Sequence, residues 1–126
     1  MDKFDLIVIG AGAAGLMCAG TAAKCGQSVL LLDHAEKVGK KILISGGGRS
    51  NFTNRVVTAA NYLSHNPHFC KSALSRFSAS DFIAMVEEAG IAYHEREHGQ
   101  LFFDESAKQI VAMLMQHCHA HAVKVH

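Results

Sequence analysis

The pattern of apolar and polar residues predicts a strand, a helix and a strand at the beginning of the chain. Residues 4–10, FDLIVIG, form a short apolar run rich in branched side chains, which is typical of a buried parallel strand. Residues 13–25 are small and rich in alanine, and they predict a helix that ends at Gly26. Residues 28–33, SVLLLD, predict a second buried strand, so the three elements form a βαβ unit.

The pattern changes after Asp33. Residues 34–66 are polar and interrupted by glycine, with one apolar patch at residues 42–44. We expect a helix to open near Pro67, since proline is well tolerated in the first turn of a helix. No regular element is predicted between Asp33 and that proline.

The second half of the chain predicts two helices around a β-hairpin. Ser78 and Asp81 have the spacing of a capping box before an apolar helical stretch, which Gly90 ends. Two apolar runs flank His98 and Gly99 and predict the hairpin. A last helix is predicted to start near Ser106, and the sequence AVKVH that follows it predicts another strand.

These elements predict an α/β fold, a Rossmann-like βαβ domain with an incomplete parallel sheet. Residues 34–122 form a large α+β insertion between strands 2 and 3 in this interpretation, since an ordinary crossover needs only about a dozen residues. A doubly wound sheet has about five or six strands, and this sequence supplies three. We therefore expect residues 1–126 to be the N-terminal part of a larger domain.

Composition excludes several classes of protein. A formal net charge of +1 over 126 residues gives no reason to expect a nucleic-acid partner. Four cysteines without paired spacing are typical of free thiols in a reducing compartment, so we expect a cytoplasmic protein. Residues 6–23 are uncharged, but their glycines fit a strand-to-helix turn and no membrane partner is expected. Residues 117–121, HCHAH, are interpreted as a helix end, and no metal site is predicted.

The segment GAGAAG predicts a dinucleotide site. In a GxGxxG motif between a strand and a helix, Gly10 makes the tight turn, Gly12 lets the backbone approach a pyrophosphate and Gly15 lets helix and strand pack closely. The helix N-terminus then offers N–H groups to the phosphates. Asp33, at the end of the next strand, is placed to bind an adenosine ribose and disfavours NADP.

A second glycine-rich segment, SGGGRSN, favours FAD over NAD. Lys40, Lys41 and Arg49 supply positive charge, and residues 46–48 allow main-chain N–H groups to approach an anion or a flat ring. A plain linker would not require Arg49 and Asn51 directly after its glycines. The residues alone leave an NAD-dependent dehydrogenase open as the alternative.

The stretches DLIVIGAGAAGLMCA, GKKILISGGGRSNFTN, NPHFCKSALSRF and HGQLFFDESAKQIVAML together resemble the YhiN-type, aminoacetone-oxidase-like family of FAD-binding oxidoreductases. The resemblance covers essentially the whole chain and implies a flavin-site loop at residues 46–51. The chain departs from the family at Ser50 and Phe103, where cysteine is often found, which puts a thiol-based mechanism in doubt. The cofactor-binding residues that motif and resemblance imply together are Gly10, Gly12, Ala13, Ala14, Gly15, Asp33, His34, Lys41, Ser45, Gly46, Gly47, Gly48, Arg49, Ser50 and Asn51.

The function implied by the resemblance is an FAD-dependent oxidoreductase acting on a small organic substrate of the amine or enone class. NAD(P)H is a candidate electron donor, and no residue is assigned as catalytic acid or base. A truncated, non-catalytic nucleotide-binding fragment is the remaining alternative, for which exposed sheet edges predict self-association.

Overall fold

The structure, a computed structural model, describes residues 1–126. Its strands are β1 (Leu6–Ile9), β2 (Val29–Leu32), β3 (Asn51–Asn54), β4 (Tyr93–Glu95), β5 (Gln100–Phe103) and β6 (Lys124–Val125). Its α-helices are α1 (Ala13–Lys24), α2 (Lys40–Ile44), α3 (Lys71–Arg76), α4 (Ala79–Glu88) and α5 (Lys108–Ala120). The strands form two separate three-stranded sheets.

The first sheet is parallel, in the order β1-β2-β6, and confirms the predicted βαβ unit and the strand at AVKVH. Leu6 of β1 is in register with Val29 of β2, and Leu30 is in register with Lys124 of β6. One face of the sheet is covered by helices, whereas Ile7 and Ile9 on the other face of β1 are exposed. The carboxyl ends of the parallel strands lie beside the turn that leads into α1.

The second sheet is antiparallel, in the order β3-β5-β4. The predicted hairpin is confirmed: β4 and β5 are joined by a tight turn in which His98 (φ 59°) and Gly99 (φ 73°) are left-handed. The third strand, β3, was not predicted, because residues 51–54 lack an apolar pattern and are held in a strand by hydrogen bonds to β5.

The α-helices largely agree with those predicted from the sequence. The capping box of α4 is confirmed, since the Asp81 N–H donates to the Ser78 hydroxyl (3.2 Å) and the Ser78 N–H donates to the Asp81 carboxylate (2.8 Å). The helix expected near Pro67 begins later, at Lys71, because residues 67–70 form turns. The short helix α2 was not predicted.

The core lies between the parallel sheet and the helices α1 and α5. Leu16 and Leu31 are fully buried there, and the Cys118 thiol of α5 donates to the Leu16 carbonyl (3.3 Å). A Cβ on Gly20 would lie 2.2 Å from the His117 ring, so glycine permits the two helices to approach at this point. Burial against α1 lowers the pKa of His117.

All four cysteines are free thiols. Cys18 on α1 and Cys25 directly after α1 are exposed, whereas Cys118 is buried and its burial raises its pKa. None of the helices combines the length and the apolar character that crossing a membrane requires.

We predict that Leu101→Ala in β5 lowers the free energy of unfolding by about 2–5 kcal/mol, because Leu101 is fully buried and the truncation leaves a cavity. The matched control is Leu63→Ala, since Leu63 is 95% exposed and its loss should leave stability unchanged. Urea unfolding followed by circular dichroism measures both. Equal losses of stability in the two variants would contradict the burial assigned to Leu101.

Candidate functional site

The turn between β1 and α1 can be built only with glycine at two positions. Gly10 adopts φ 104°, which side-chain-bearing residues rarely adopt. A Cβ on Gly15 would lie 1.7 Å from the Gly10 carbonyl oxygen, which is shorter than any non-bonded contact that a Cβ atom makes in proteins. The first turn of α1 is therefore pressed against the end of β1, as the sequence motif predicts.

The N-terminus of α1 is open to an anion. Gly12 is the N-cap and supplies no side-chain hydrogen bond, and the first turn contains no acidic residue. A Cβ on Gly12 would meet no atom within 4 Å, so space is free in front of the turn. The N–H groups of Ala13 and Ala14 begin the helix beside that space, where a helix N-terminus favours negative charge.

Asp33 at the end of β2 is tied to this turn. One carboxylate oxygen accepts the Ala11 N–H (2.6 Å), and the other accepts the Ala35 N–H (2.7 Å). These hydrogen bonds, the one from Ala35 first, lower the pKa of Asp33. Because each oxygen keeps a second acceptor direction, the arrangement is compatible with the predicted ribose contact, which stays a prediction.

A cavity of about 490 Å³ lies at this end of the parallel sheet. Its lining brings together predicted site residues from three segments, namely Gly12, Ala13, Asp33, His34 and Lys41. Lys40, which the sequence also predicts to supply positive charge, lines it as well. Lys37 lines it too, and sequence reasoning did not select that residue. The signal was present, since basic residues recur between Lys37 and Lys41 while the last acidic residue before them is Glu36.

The second glycine segment, residues 45–51, which we term the glycine loop, has an unusual backbone. Gly46, Gly47 and Gly48 have φ values of 55°, 64° and 84°, and Ser50 has φ 48°. Left-handed backbone conformations carry almost no steric penalty for glycine, but they are strained for serine. Ser50 is buried and its hydroxyl is 3.1 Å from that of Ser45, so the surrounding structure holds the strained residue in place.

The glycine loop is fixed to the second sheet and to α5 through its carbonyl groups. The Gly48 carbonyl accepts the Ala107 N–H (2.7 Å), and the Arg49 carbonyl accepts the Phe103 N–H (2.9 Å). A Cβ on Gly46 would lie 3.0 Å from the Phe102 ring, which shows how closely loop and strand approach. The loop is therefore anchored to the fold by these contacts and is not a linker.

A second cavity, of about 410 Å³, joins the two glycine segments. Ala13 and Ala14 line it from α1, and Ser50 and Asn51 line it from the end of the glycine loop. Its remaining lining is mostly apolar and includes the rings of Phe52, Phe77 and Phe82. Sequence reasoning missed these three phenylalanines, because their positions in β3, before α4 and within α4 show no common motif.

The structure does not bring every predicted residue to a cavity. Residues 46–49 line neither of the two cavities, and Ser45 contributes its hydrogen bond to Ser50 instead. The turn, the helix N-terminus and the adjoining apolar cavity nevertheless fit an elongated ligand with a pyrophosphate and a flat ring. This fit rests on the space in front of Gly12 and on the close approach that Gly15 permits.

Comparison with known proteins extends these observations. Residues 4–126 match the family model described as HI0933-like protein Rossmann domain. The ribosomal RNA dihydrouridine synthase of Escherichia coli (strain K12) is 58% identical over 118 residues, which are 94% of this chain and 30% of that protein. The 3-dehydro-bile acid delta(4,6)-reductase of Clostridium scindens is 28% identical over 122 residues, with the same shares of 94% and 30%.

Among solved structures, the 3-ketosteroid-delta4-(5alpha)-dehydrogenase from Rhodococcus jostii RHA1 is similar in fold, with a TM-score of 0.65 over 98% of this chain and 37% of that one. Its sequence identity of 13% supports a common fold alone. The predicted Rossmann-like fold class is confirmed. The chain spans about 30% of the length of the curated relatives it matches.

We predict that Gly12→Val weakens FAD binding at least about tenfold, or about 1.4 kcal/mol, because the valine side chain fills the space in front of the helix N-terminus. Folding should be unaffected, since a Cβ there meets no neighbour. Absorbance of bound flavin after desalting, together with thermal unfolding, measures both effects. Gly15→Ala is the contrast, since its Cβ would clash with the Gly10 carbonyl and should abolish cooperative folding. A Gly12→Val variant that retains FAD like the parent chain would contradict the prediction that the turn at Gly12 binds FAD.

We predict that Asp33→Asn lowers the free energy of unfolding at pH 7 and that this difference narrows in acid. The folded pKa of Asp33 lies below its unfolded value of about 3.9, so its contribution is full above that pH and declines as pH falls through the folded pKa. Urea unfolding between about pH 7 and pH 2 tests this. Glu88→Gln is the control, because Glu88 is exposed at the end of α4. A difference that does not change with pH would be inconsistent with the role given to Asp33.

Proposed function

We propose, for a chain that belongs to the HI0933-like protein Rossmann domain family, that it is the FAD-binding part of an enzyme forming dihydrouridine in ribosomal RNA. The observation that carries the proposal is the 58% identity to the Escherichia coli dihydrouridine synthase across 94% of this chain. FAD is the cofactor of this Rossmann domain, and the flavin oxidoreductase class predicted from the sequence is confirmed by the family.

The proposed reaction is a two-electron reduction of the uracil base. Dihydrouridine differs from uridine by a hydride and a proton added across the C5–C6 double bond. When bound, FAD supplies the two-electron chemistry for such a step, while the protein binds and orients the reactants. NAD(P)H is the proposed source of the electrons.

The residues of this chain have distinct roles in the proposal. The N–H groups at Ala13 and Ala14 bind the pyrophosphate of FAD, and Asp33 binds its adenosine ribose while holding the Ala11 N–H. Lys41 adds positive charge at the same cavity. The glycine loop extends along the cofactor toward its flavin ring, and the apolar cavity at Phe52 excludes water next to it.

A small conjugated substrate is the second candidate. The identity of 28% to a bile acid reductase favours it, and it agrees with the enone class implied by the family resemblance. The amine class, which the aminoacetone-oxidase part of that resemblance implies, has less support. Neither the Escherichia coli nor the Clostridium scindens relative is named for an amine substrate. We therefore rank ribosomal RNA first.

The test is to incubate full-length protein with FAD, NAD(P)H and ribosomal RNA isolated from a strain that lacks the gene. We predict that digestion of this RNA and mass spectrometry detect a uridine gaining two hydrogen atoms. The Gly12→Val variant is the matched control, and its yield should fall in proportion to its loss of FAD.

A different result would favour the conjugated small-molecule substrate. A protein that binds FAD and oxidises NAD(P)H with a conjugated enone, but leaves ribosomal RNA unmodified, would reject the RNA substrate and favour the second candidate.

A further inference from the structure

We infer that residues 59–77, which we term the exposed segment, bind single-stranded RNA. This inference rests on the proposed function, because it identifies the surface that would hold the RNA substrate beside the cofactor site. It is carried by the distribution of charge, by exposed aromatic rings and by the position of the segment relative to the apolar cavity.

The basic residues of the chain are not evenly distributed. Between Glu36 and Asp81 there is no acidic residue, whereas seven lysine and arginine side chains occur there. Among these seven, only Arg55 forms a salt bridge, with Glu95 at 2.8 Å. Lys71 and Arg76 lie in the exposed segment and form no salt bridge, so their charge is available to phosphates. The net charge of +1 conceals this basic region, because the acidic residues lie on either side of it.

Aromatic rings lie exposed within the same region. Phe69 is 81% exposed, Tyr62 is 50% exposed and Phe77 is 40% exposed. Lys71 follows Phe69 by two residues, and Arg76 directly precedes Phe77. Rings on which bases stack, interspersed with cations that contact phosphates, are the combination by which proteins bind single-stranded nucleic acid.

The backbone of the exposed segment is ordered by its own hydrogen bonds. The Asn61 side chain accepts the Thr58 N–H (2.8 Å), and the Asn66 side chain accepts the His68 N–H (3.1 Å). A concavity of about 450 Å³ opens between these turns and is lined by Tyr62, Pro67 and Lys71, among others. The backbone turns on either side of Tyr62 and before Phe69 are thus formed before any ligand binds, which reduces the entropy cost of binding.

The exposed segment leads directly to the cofactor region. Phe77 at its end lines the same cavity as Ala13 of α1 and Asn51 of the glycine loop. One end of the proposed RNA surface therefore lies at the lining of this cavity. An anionic membrane would also attract cations and rings, but the helix here, α3, has only six residues and offers no long amphipathic face.

Fluorescence anisotropy with labelled RNA of about 12 nucleotides tests the inference, using the chain saturated with FAD. We expect single-stranded RNA to bind more tightly than a duplex. Lys71→Gln with Arg76→Gln should weaken binding at least about tenfold and reduce the slope of log K against log salt by about 1.4, because each cation that binds a phosphate contributes about 0.7 to that slope. Tyr62→Ala with Phe69→Ala should weaken binding by a similar factor without changing the slope.

The matched control is Lys24→Gln with Lys108→Gln, two exposed lysines outside the basic region, and it should bind RNA within about twofold of the parent chain. Circular dichroism and FAD retention should be unchanged in all three double variants. Equal weakening by the control pair would overturn the inference, as would binding to phosphatidylserine vesicles but not to RNA.

The RNA-binding surface and the proposed reaction can each be rejected while the other holds. If dihydrouridine forms in ribosomal RNA but the charge and aromatic variants bind RNA like the parent chain, the exposed segment is excluded while the function holds. If those variants lose RNA binding and no dihydrouridine forms, the surface assignment holds and the proposed reaction is rejected.

Discussion

The contact between Gly15 and the carbonyl of Gly10 is the constraint on which the site depends. Because a Cβ at Gly15 would lie 1.7 Å from that oxygen, only glycine lets α1 begin directly at the end of β1. The helix N-terminus thereby lies at the carboxyl end of the parallel strands, where ligands of open α/β sheets bind. Asp33 supports the same geometry from β2, since its carboxylate holds the Ala11 N–H.

The glycine loop depends on a different part of the fold. Its Gly48 and Arg49 carbonyls accept hydrogen bonds from the N–H groups of Ala107 and Phe103, so α5 and the antiparallel sheet support the loop. α5 in turn packs on α1, with the Cys118 thiol donating to the Leu16 carbonyl. The two glycine-rich segments are thus positioned relative to each other through a shared core. This explains how a short chain with little regular structure in its middle can hold two glycine-rich segments, 35 residues apart in sequence between Gly10 and Ser45, in a fixed arrangement.

Local sequence predicts the first half of this arrangement and not the second. The phosphate turn, α1 and β2 are predictable because spacing within about thirty residues determines them. β3 is not predictable, since residues 51–54 become a strand only by pairing with β5, almost fifty residues later in the chain. The contacts of the glycine loop with residues 102–107 are equally non-local. Net charge is a weak guide to partners for a related reason, because a total does not say where along the chain the charges lie.

We propose that both glycine-rich segments contact one FAD molecule. A titration of the isotopically labelled chain with FAD, followed by amide NMR, is the decisive experiment. We expect the amide resonances of Gly12 and Gly47 to shift together with the same dissociation constant, whereas those near Cys118 in the core change little. Shifts at Gly12 alone, with the glycine loop unaffected at saturation, would show that the loop has no part in the cofactor site.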